Sequence, residues 1–300
     1  MNAGAELHER QATPHGLLLQ RAADGSHAVA YRIEAVRLVV SVGFGLAAIV
    51  ATAWPSIAKP TGAASALWAG FSFVVLAVWS QRETTAAALA QESFDTWLYG
   101  LPWTSASRDL PLPEEELRRR ARTSTLPEER LVTWYPDVSG MAAPYQAMAC
   151  QRENLGWDER LRRRYATALA VAIATWIALG VLIGLVGDLS VRDLGIRWFV
   201  PSSSMLLLAA QQARGHHEIA TEKKQLAAEV RAELDGADNL SLAPDEEARL
   251  WQRCRLIQDG LLRARKRGER VPRWLFERYR DNDELDMRET AAATRARLTP

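Results

Sequence analysis

The chain has 300 residues, a net charge of +1 and 24% charged residues, and its mean hydropathy of −0.16 would suit an ordinary soluble protein. The averages mislead, because charge is segregated: no Asp, Glu, Lys, Arg or His occurs in 38–58, 60–81, 165–187 or 198–213. Two cysteines, Cys150 and Cys254, far apart in charged segments, exclude a disulfide framework and point to reduced thiols.

An uncharged helix of about 20 residues spans the hydrocarbon core of a bilayer, so these stretches predict four transmembrane helices. Residues 1–37 are polar and read as a cytoplasmic N-terminal segment without a cleavable signal peptide. The first span runs over 38–57, with Trp54 and Pro55 near its exit. A turn at Lys59–Gly62 leads into the second span, 63–79, closing a 38–79 hairpin. Trp79 and Arg82 mark its interface. Residues 80–164 form a polar insert, the candidate ligand-sensing part. In it, LPEEELRRRAR (Leu112–Arg122) reads as a helix opened by Pro113, with Glu114–Glu116 at the positive end of its dipole and Arg118–Arg120 nearer the negative end.

The third span is 165–186. Ala166, Ala170, Ala174 and Ala178 recur every four residues and Gly180 and Gly184 add a GxxxG; small residues at this spacing let helices approach closely in lipid, within one subunit or between subunits. After a Gly187–Leu194 turn, the fourth span covers 196–212 and closes a 165–213 hairpin. It is the shortest and is interrupted by Pro201 and Ser202–Ser204. Residues 214–287 read as a cytoplasmic helical region: the fourth helix continues through His216–Leu234. A second helix occupies Pro244–Arg267, with Leu250, Cys254, Ile257 and Leu261 on one apolar face and Gly268 as a stop. Residues 288–300 read as a disordered tail. The fold class is therefore an all-α membrane protein. Its four transmembrane helices carry a mainly helical cytoplasmic domain, built from the insert between the second and third spans and from the C-terminal helices. Basic residues set the orientation. Arg32 and Arg37 precede the first span and Arg160–Arg164 the third, which places both termini and the insert inside.

Catalytic signatures (GxSxG, HExxH, GxxxxGK[ST], GxGxxG) are absent, and neither a metal nor a cofactor is expected. The insert is rich in rings and guanidinium groups, which stack on bases and hold phosphates. Trp103, Tyr135, Arg152, Trp157, Arg160, Arg163 and Arg164 form the candidate ligand-binding set. The competing reading makes the arginines membrane anchors and the rings core or interface residues. Ser202, Ser203, Ser204, Gln211 and Gln212 are the candidate pore-lining residues, because polar groups at membrane depth face water or another helix.

Three strings carry a resemblance: FDTWLYGLPW (Phe94–Trp103), CQRENLGWDERLRRRY (Cys150–Tyr165) and IQDGLLRARKRGERVPRWLFERYR (Ile257–Arg280). In this order around four spans, the chain resembles the SMODS-associated four-transmembrane effectors of bacterial cyclic-oligonucleotide antiviral defence (CBASS). The family usually carries Asn after LPW, where this chain has Thr104. The resemblance implies an inner-membrane effector that binds a cyclic oligonucleotide second messenger from a functionally linked nucleotidyltransferase. It would act as a homo-oligomer on the lipid bilayer, breaching it and arresting or killing the infected cell, with no DNA or RNA polymer as partner. The alternative is a non-pore membrane scaffold or sensor whose helices anchor a cytoplasmic interaction module.

Overall fold

The computed structural model describes residues 7, 9–103, 109–237, 242–268 and 271–298; Thr104 lies outside them. All regular structure among the described residues is helical. The chain divides into two compact units. A polar unit comprises Met1–Val29, Glu83–Leu161 and Ile219–Pro300, and an apolar unit Ala30–Arg82 and Arg162–Glu218.

Three helical stretches are long and apolar enough to cross a membrane: Pro14–Ala53, Pro55–Tyr99 and Ala143–Val186. The first stops at Ala53 because Pro55 lacks an N–H and disfavours helical geometry in the residue before it; Trp54 accordingly sits at φ −120°, ψ 84°. The turn therefore falls at Trp54–Ile57. The predicted Lys59–Gly62 turn is instead the opening of the helix Ala58–Phe71, where Pro60 forfeits no internal hydrogen bond. That helix passes through a π turn at Ser72–Leu76 into Ala77–Tyr99.

The fourth segment is broken. A short helix, Val191–Leu194, and a π turn, Gly195–Phe199, precede the helix Ser203–Asp235, with Pro201 in the gap. By length and composition this segment is not among the three candidate spans. The linking turn uses Asp188 at φ 48°, a left-handed conformation that a short polar side chain tolerates, and Leu189 N–H closes it on Gly184 O at 2.9 Å.

The two glycines of the GxxxG serve packing inside the subunit. A Cβ on Gly180 would collide with the Trp198 indole, and one on Gly184 would come within 3.0 Å of Leu194. Ala170, Ala174 and Ala178, by contrast, are exposed. So are Val39, Leu67, Phe73, Val74, Leu182 and Leu185, an apolar exterior of the kind that marks a membrane surface.

In the polar unit, the helix Pro244–Arg267 forms where its end signals predict it. Its Leu250, Cys254, Ile257 and Leu261 are buried in a core with Leu19, Phe94, Leu98, Met148 and Leu155. The predicted disordered tail is instead the end of a helix, Arg273–Leu298. Ala291, Thr294 and Leu298 are buried, at helical spacing on one face.

Candidate functional site

In the polar unit, the three strings behind the resemblance meet in one buried polar cluster. Glu92 and Asp95 lie one helical turn apart on Ala77–Tyr99, so both point to one face. Asp95 is 1% exposed. Its Oδ1 accepts from Tyr135 Oη at 2.7 Å, and its Oδ2 from Gln258 Nε2 at 2.9 Å and Arg265 Nη1 at 2.7 Å. Glu92 accepts from Arg255 Nη2 at 2.6 Å and Gln258 Nε2 at 2.8 Å. Gln151 Nε2 donates to Gln258 Oε1 at 3.0 Å and to Cys254 O at 2.9 Å. Asn154 donates to Tyr135 Oη. Two carboxylates thus face two guanidinium groups, and the charge balances.

Burial sets the electrostatics. It raises the Glu92 carboxyl above its ordinary value, with Arg255 pulling the other way. Burial alone would depress Arg265, but Asp95 and its neighbours hold it above the usual guanidinium value. Burial, reinforced by Asp95, lifts Tyr135 well above an ordinary phenol, so it remains a proton donor at neutral pH. The cluster has the chemistry of a tie between helices. Sequence reasoning misses Glu92, Asp95, Arg255, Gln258 and Arg265, because each reads as an exposed polar residue on a helix. For Asp95, Gln258 and Arg265 the signal available is their place inside the three strings.

The seven candidate ligand residues are distributed differently. Tyr135 is core, stacked on Phe94 with ring centroids 6.2 Å apart. Trp103 is half-buried and donates to Asp109 O at 3.0 Å. Arg152 is held by the last helix, donating to Thr294 Oγ1 at 2.9 Å and Thr290 O at 3.3 Å; burial lowers its pKa. Trp157 and Arg160 are half-buried on the Ala143–Val186 helix, while Arg163 and Arg164 are exposed and belong to the apolar unit.

Two shallow, open grooves lie on the described surface, and neither is lined by any of the seven. One, in the apolar unit, is about 530 Å³ and runs along Val40, Phe44, Ala47 and Pro60. The other, in the polar unit, is about 680 Å³ and combines Arg21, Arg118 and Arg122 with His15, Glu114 and Glu128. Carboxylates already face two of its arginines: Arg21 meets Glu128 at 2.6 Å and Arg118 meets Glu114 at 2.5 Å. Those pairs are exposed and so individually weak, cheap for a phosphate to displace.

The apolar unit holds a second polar cluster. Arg37, counted in the sequence among the basic residues that set orientation, is 1% exposed. It donates to both Glu34 oxygens, at 2.8 and 2.9 Å, and from Nε to Ser72 Oγ at 3.0 Å. Gln212 Nε2 donates to Glu34 Oε2 at 3.3 Å, and its Oε1 accepts from Tyr165 Oη at 3.0 Å. Arg162 Nη1 lies 3.1 Å from His216 Nδ1, and the Tyr165 and His216 rings meet edge-on at 5.0 Å. Of the candidate pore residues, Ser204 shares a 2.9 Å hydrogen bond with Ser65, and Ser202 donates to Trp198 O at 2.6 Å. Ser203 and Gln211 are half-buried.

Residues 5–294 match the family described as the SMODS-associating 4TM effector domain. A protein of Bacillus cereus (strain VD146) named "Probable CBASS effector molecule" is 23% identical over 201 residues. The alignment covers 67% of this chain and 66% of that relative, just under two thirds of its length. No solved structure matches.

Proposed function

This chain belongs to the SMODS-associating four-transmembrane effector family, and on that premise we propose that it is the membrane-breaching effector of a cyclic-oligonucleotide antiviral system. The match over nearly the whole chain carries the reading. The messenger, made by a linked nucleotidyltransferase, binds the polar unit on the cytoplasmic side of the inner membrane; the apolar unit crosses four times, rearranges or oligomerises, and lets ions through. The fourth crossing is the broken segment from Val191 into the Ser203–Asp235 helix, and a break padded by other helices is tolerated at membrane depth. Since Tyr135 and Arg152 are engaged inside the polar unit, the groove of Arg21, Arg118 and Arg122 is the better-placed entry for a phosphate-bearing ligand.

One observation favours the scaffold alternative: Ser202, Ser204 and Gln212 are hydrogen-bonded within the subunit. The deciding experiment is potassium efflux from cells expressing the chain with an active nucleotidyltransferase. Efflux that requires both proteins supports the effector; a chain that is expressed and messenger-bound without efflux is a scaffold. Reporter fusions at residue 1 and in the turn at Asp188 check the orientation, and a periplasmic N-terminus would reverse it.

A further inference from the structure

The polar layer in the apolar unit draws on all four of its segments at one depth. The first contributes Glu34 and Arg37, the second Ser72, the third Tyr165, the fourth Gln212. Register explains the convergence. Going down the first and second segments, Arg37 meets Ser72 and Ser41 meets Trp68, which is constant antiparallel pairing. On the third and fourth, Arg162 opposes His216, Tyr165 opposes Gln212, and Gly180 faces Trp198, again in constant antiparallel register. Glu34 and Gln212 then join the two hairpins, as Ser65 and Ser204 do farther along them.

This layer lies at the end of the apolar belt, beside the exposed Arg163, Arg164 and Arg214. Ser72 is seven residues from Trp79, roughly 10 Å along a helix, and Val36, Val39, Phe73 and Val74 around it are exposed. At that level Arg163, Arg164 and Arg214 reach the surface, whereas Glu34 and Arg37 are enclosed and paired, at 6% and 1% exposure, and a charge buried among helices at the edge of a membrane needs such a partner. Its second notable feature is the π turn at Ser72–Leu76, a geometry that recurs at functional sites; it includes the residue that receives Arg37 Nε.

Resting on the effector reading above, we propose that this layer is the lock of the closed state. Glu34 and Arg37 form its fixed half, and Gln212, held between Glu34 and Tyr165, is the latch that keeps the two hairpins together until the messenger draws them apart. Two facts separate a lock from ordinary packing. The hairpins are each internally packed through Ser41–Trp68 and Gly180–Trp198, so neither needs the latch to form. And of the two hydrogen bonds of Gln212, the 3.3 Å bond to Glu34 is the one that crosses between the hairpins, while Tyr165 holds the amide from within the second; that bond and Ser65–Ser204 at 2.9 Å are single hydrogen bonds across the hairpins, of a strength that a ligand can break.

The test needs no messenger. The full chain is reconstituted into vesicles of phosphatidylethanolamine and phosphatidylglycerol loaded with potassium, and leak is recorded without nucleotide. The wild type is tight. Gln212→Ala and Tyr165→Phe raise the basal leak by about fivefold or more, the population shift that loss of one hydrogen bond brings. Tyr165→Phe removes only the hydroxyl that fixes the Gln212 amide with its Nε2 toward Glu34, so it remains informative if Gln212→Ala fails to fold. Ser41→Ala, which cuts a hydrogen bond within the first hairpin that does not touch Gln212 or Glu34, stays as tight as the wild type. Unchanged leak in a folded Tyr165→Phe protein overturns the lock. If the wild type nevertheless conducts in cells with an active nucleotidyltransferase, the effector reading survives that loss. Leak from the latch variants, with no efflux from wild-type cells under any nucleotidyltransferase, supports the lock and removes the messenger.

Discussion

Replacing Asp95 with Asn tests whether the buried cluster holds the polar unit together. Asp95 accepts three hydrogen bonds, from Tyr135, Gln258 and Arg265, and the Arg265 side chain is only 9% exposed. An amide keeps the shape and one acceptor, but its NH2 now faces a donor and Arg265 loses its counter-charge. Breaking one side of a buried pair costs about 3–5 kcal/mol. For a unit of this size each kcal/mol moves Tm by about 2–4 °C, so the expected fall is about 10 °C in the detergent-solubilised chain. Glu128→Gln is the contrast. It breaks an equally short pair with Arg21, but both side chains are largely exposed, at 60% and 41%, and such pairs contribute under about 1 kcal/mol. Asp95→Leu combined with Arg265→Met recovers part of the loss, because it leaves no unpaired charge. A Tm for Asp95→Asn equal to that of Glu128→Gln would refute the reasoning.

Glu153 predicts a pH dependence: it is 6% exposed, and burial raises its carboxyl from 4.5 to about 8, with only Arg152 opposing. The folded form therefore holds a proton that the unfolded chain releases, so stability falls as pH rises from about 4.5 to about 8 and levels off above, by roughly 5 kcal/mol at most. Glu153→Gln should flatten Tm against pH in that window and gain most at high pH; parallel curves would remove Glu153 as the cause. Ala174→Leu tests assembly, since Ala170, Ala174 and Ala178 face outward in the single chain. If copies pack on this stripe, Leu separates their backbones, and cross-linking in the membrane should lose the oligomer while the monomer stays folded; an undiminished ladder places the interface elsewhere.

Helix existence was legible wherever one cause dominated. Pro244, Asp245–Glu247 and Gly268 bracket a helix whose ends the structure reproduces, because end chemistry is local. The disordered tail failed for the opposite reason: Ala291, Thr294 and Leu298 are too few and too mixed to register as an apolar face until a partner surface covers them. The Lys59–Gly62 turn misled because Pro60 reads as a breaker, although a proline in the first turn breaks nothing. Arg37 was least legible. Its charge counts toward orientation in a sequence, but its burial depends on Glu34 three residues away and on Ser72 far along the chain. For the candidate ligand set, arginine and aromatic density says which groups are present and nothing about their partners: Tyr135 and Arg152 donate to residues inside the unit.

Energy scales indicate how the lock would yield. Switching a two-state protein from closed to open takes about 5.5 kcal/mol of differential binding, whereas a micromolar ligand has about 8 kcal/mol of binding free energy in all. Exchanging the Gln212–Glu34 and Ser65–Ser204 hydrogen bonds for bonds to water costs about 1–3 kcal/mol each, within that supply. Pulling Arg37 from Glu34 would cost about 3–5 kcal/mol and use most of it. Opening is therefore expected to part the hairpins at Gln212 while Glu34 and Arg37 move as one body. The separation that frees Gln212 also bares its amide, one helical turn beyond the buried Leu208, to whatever fills the gap. In a single subunit that gap is too narrow for a wide aqueous path, since four helices must also pack on one another. Under the proposed effector reading it becomes a shared wall between subunits, and the outward alanine stripe and the inward latch would then belong to one mechanism: the first setting where copies meet, the second when the meeting conducts.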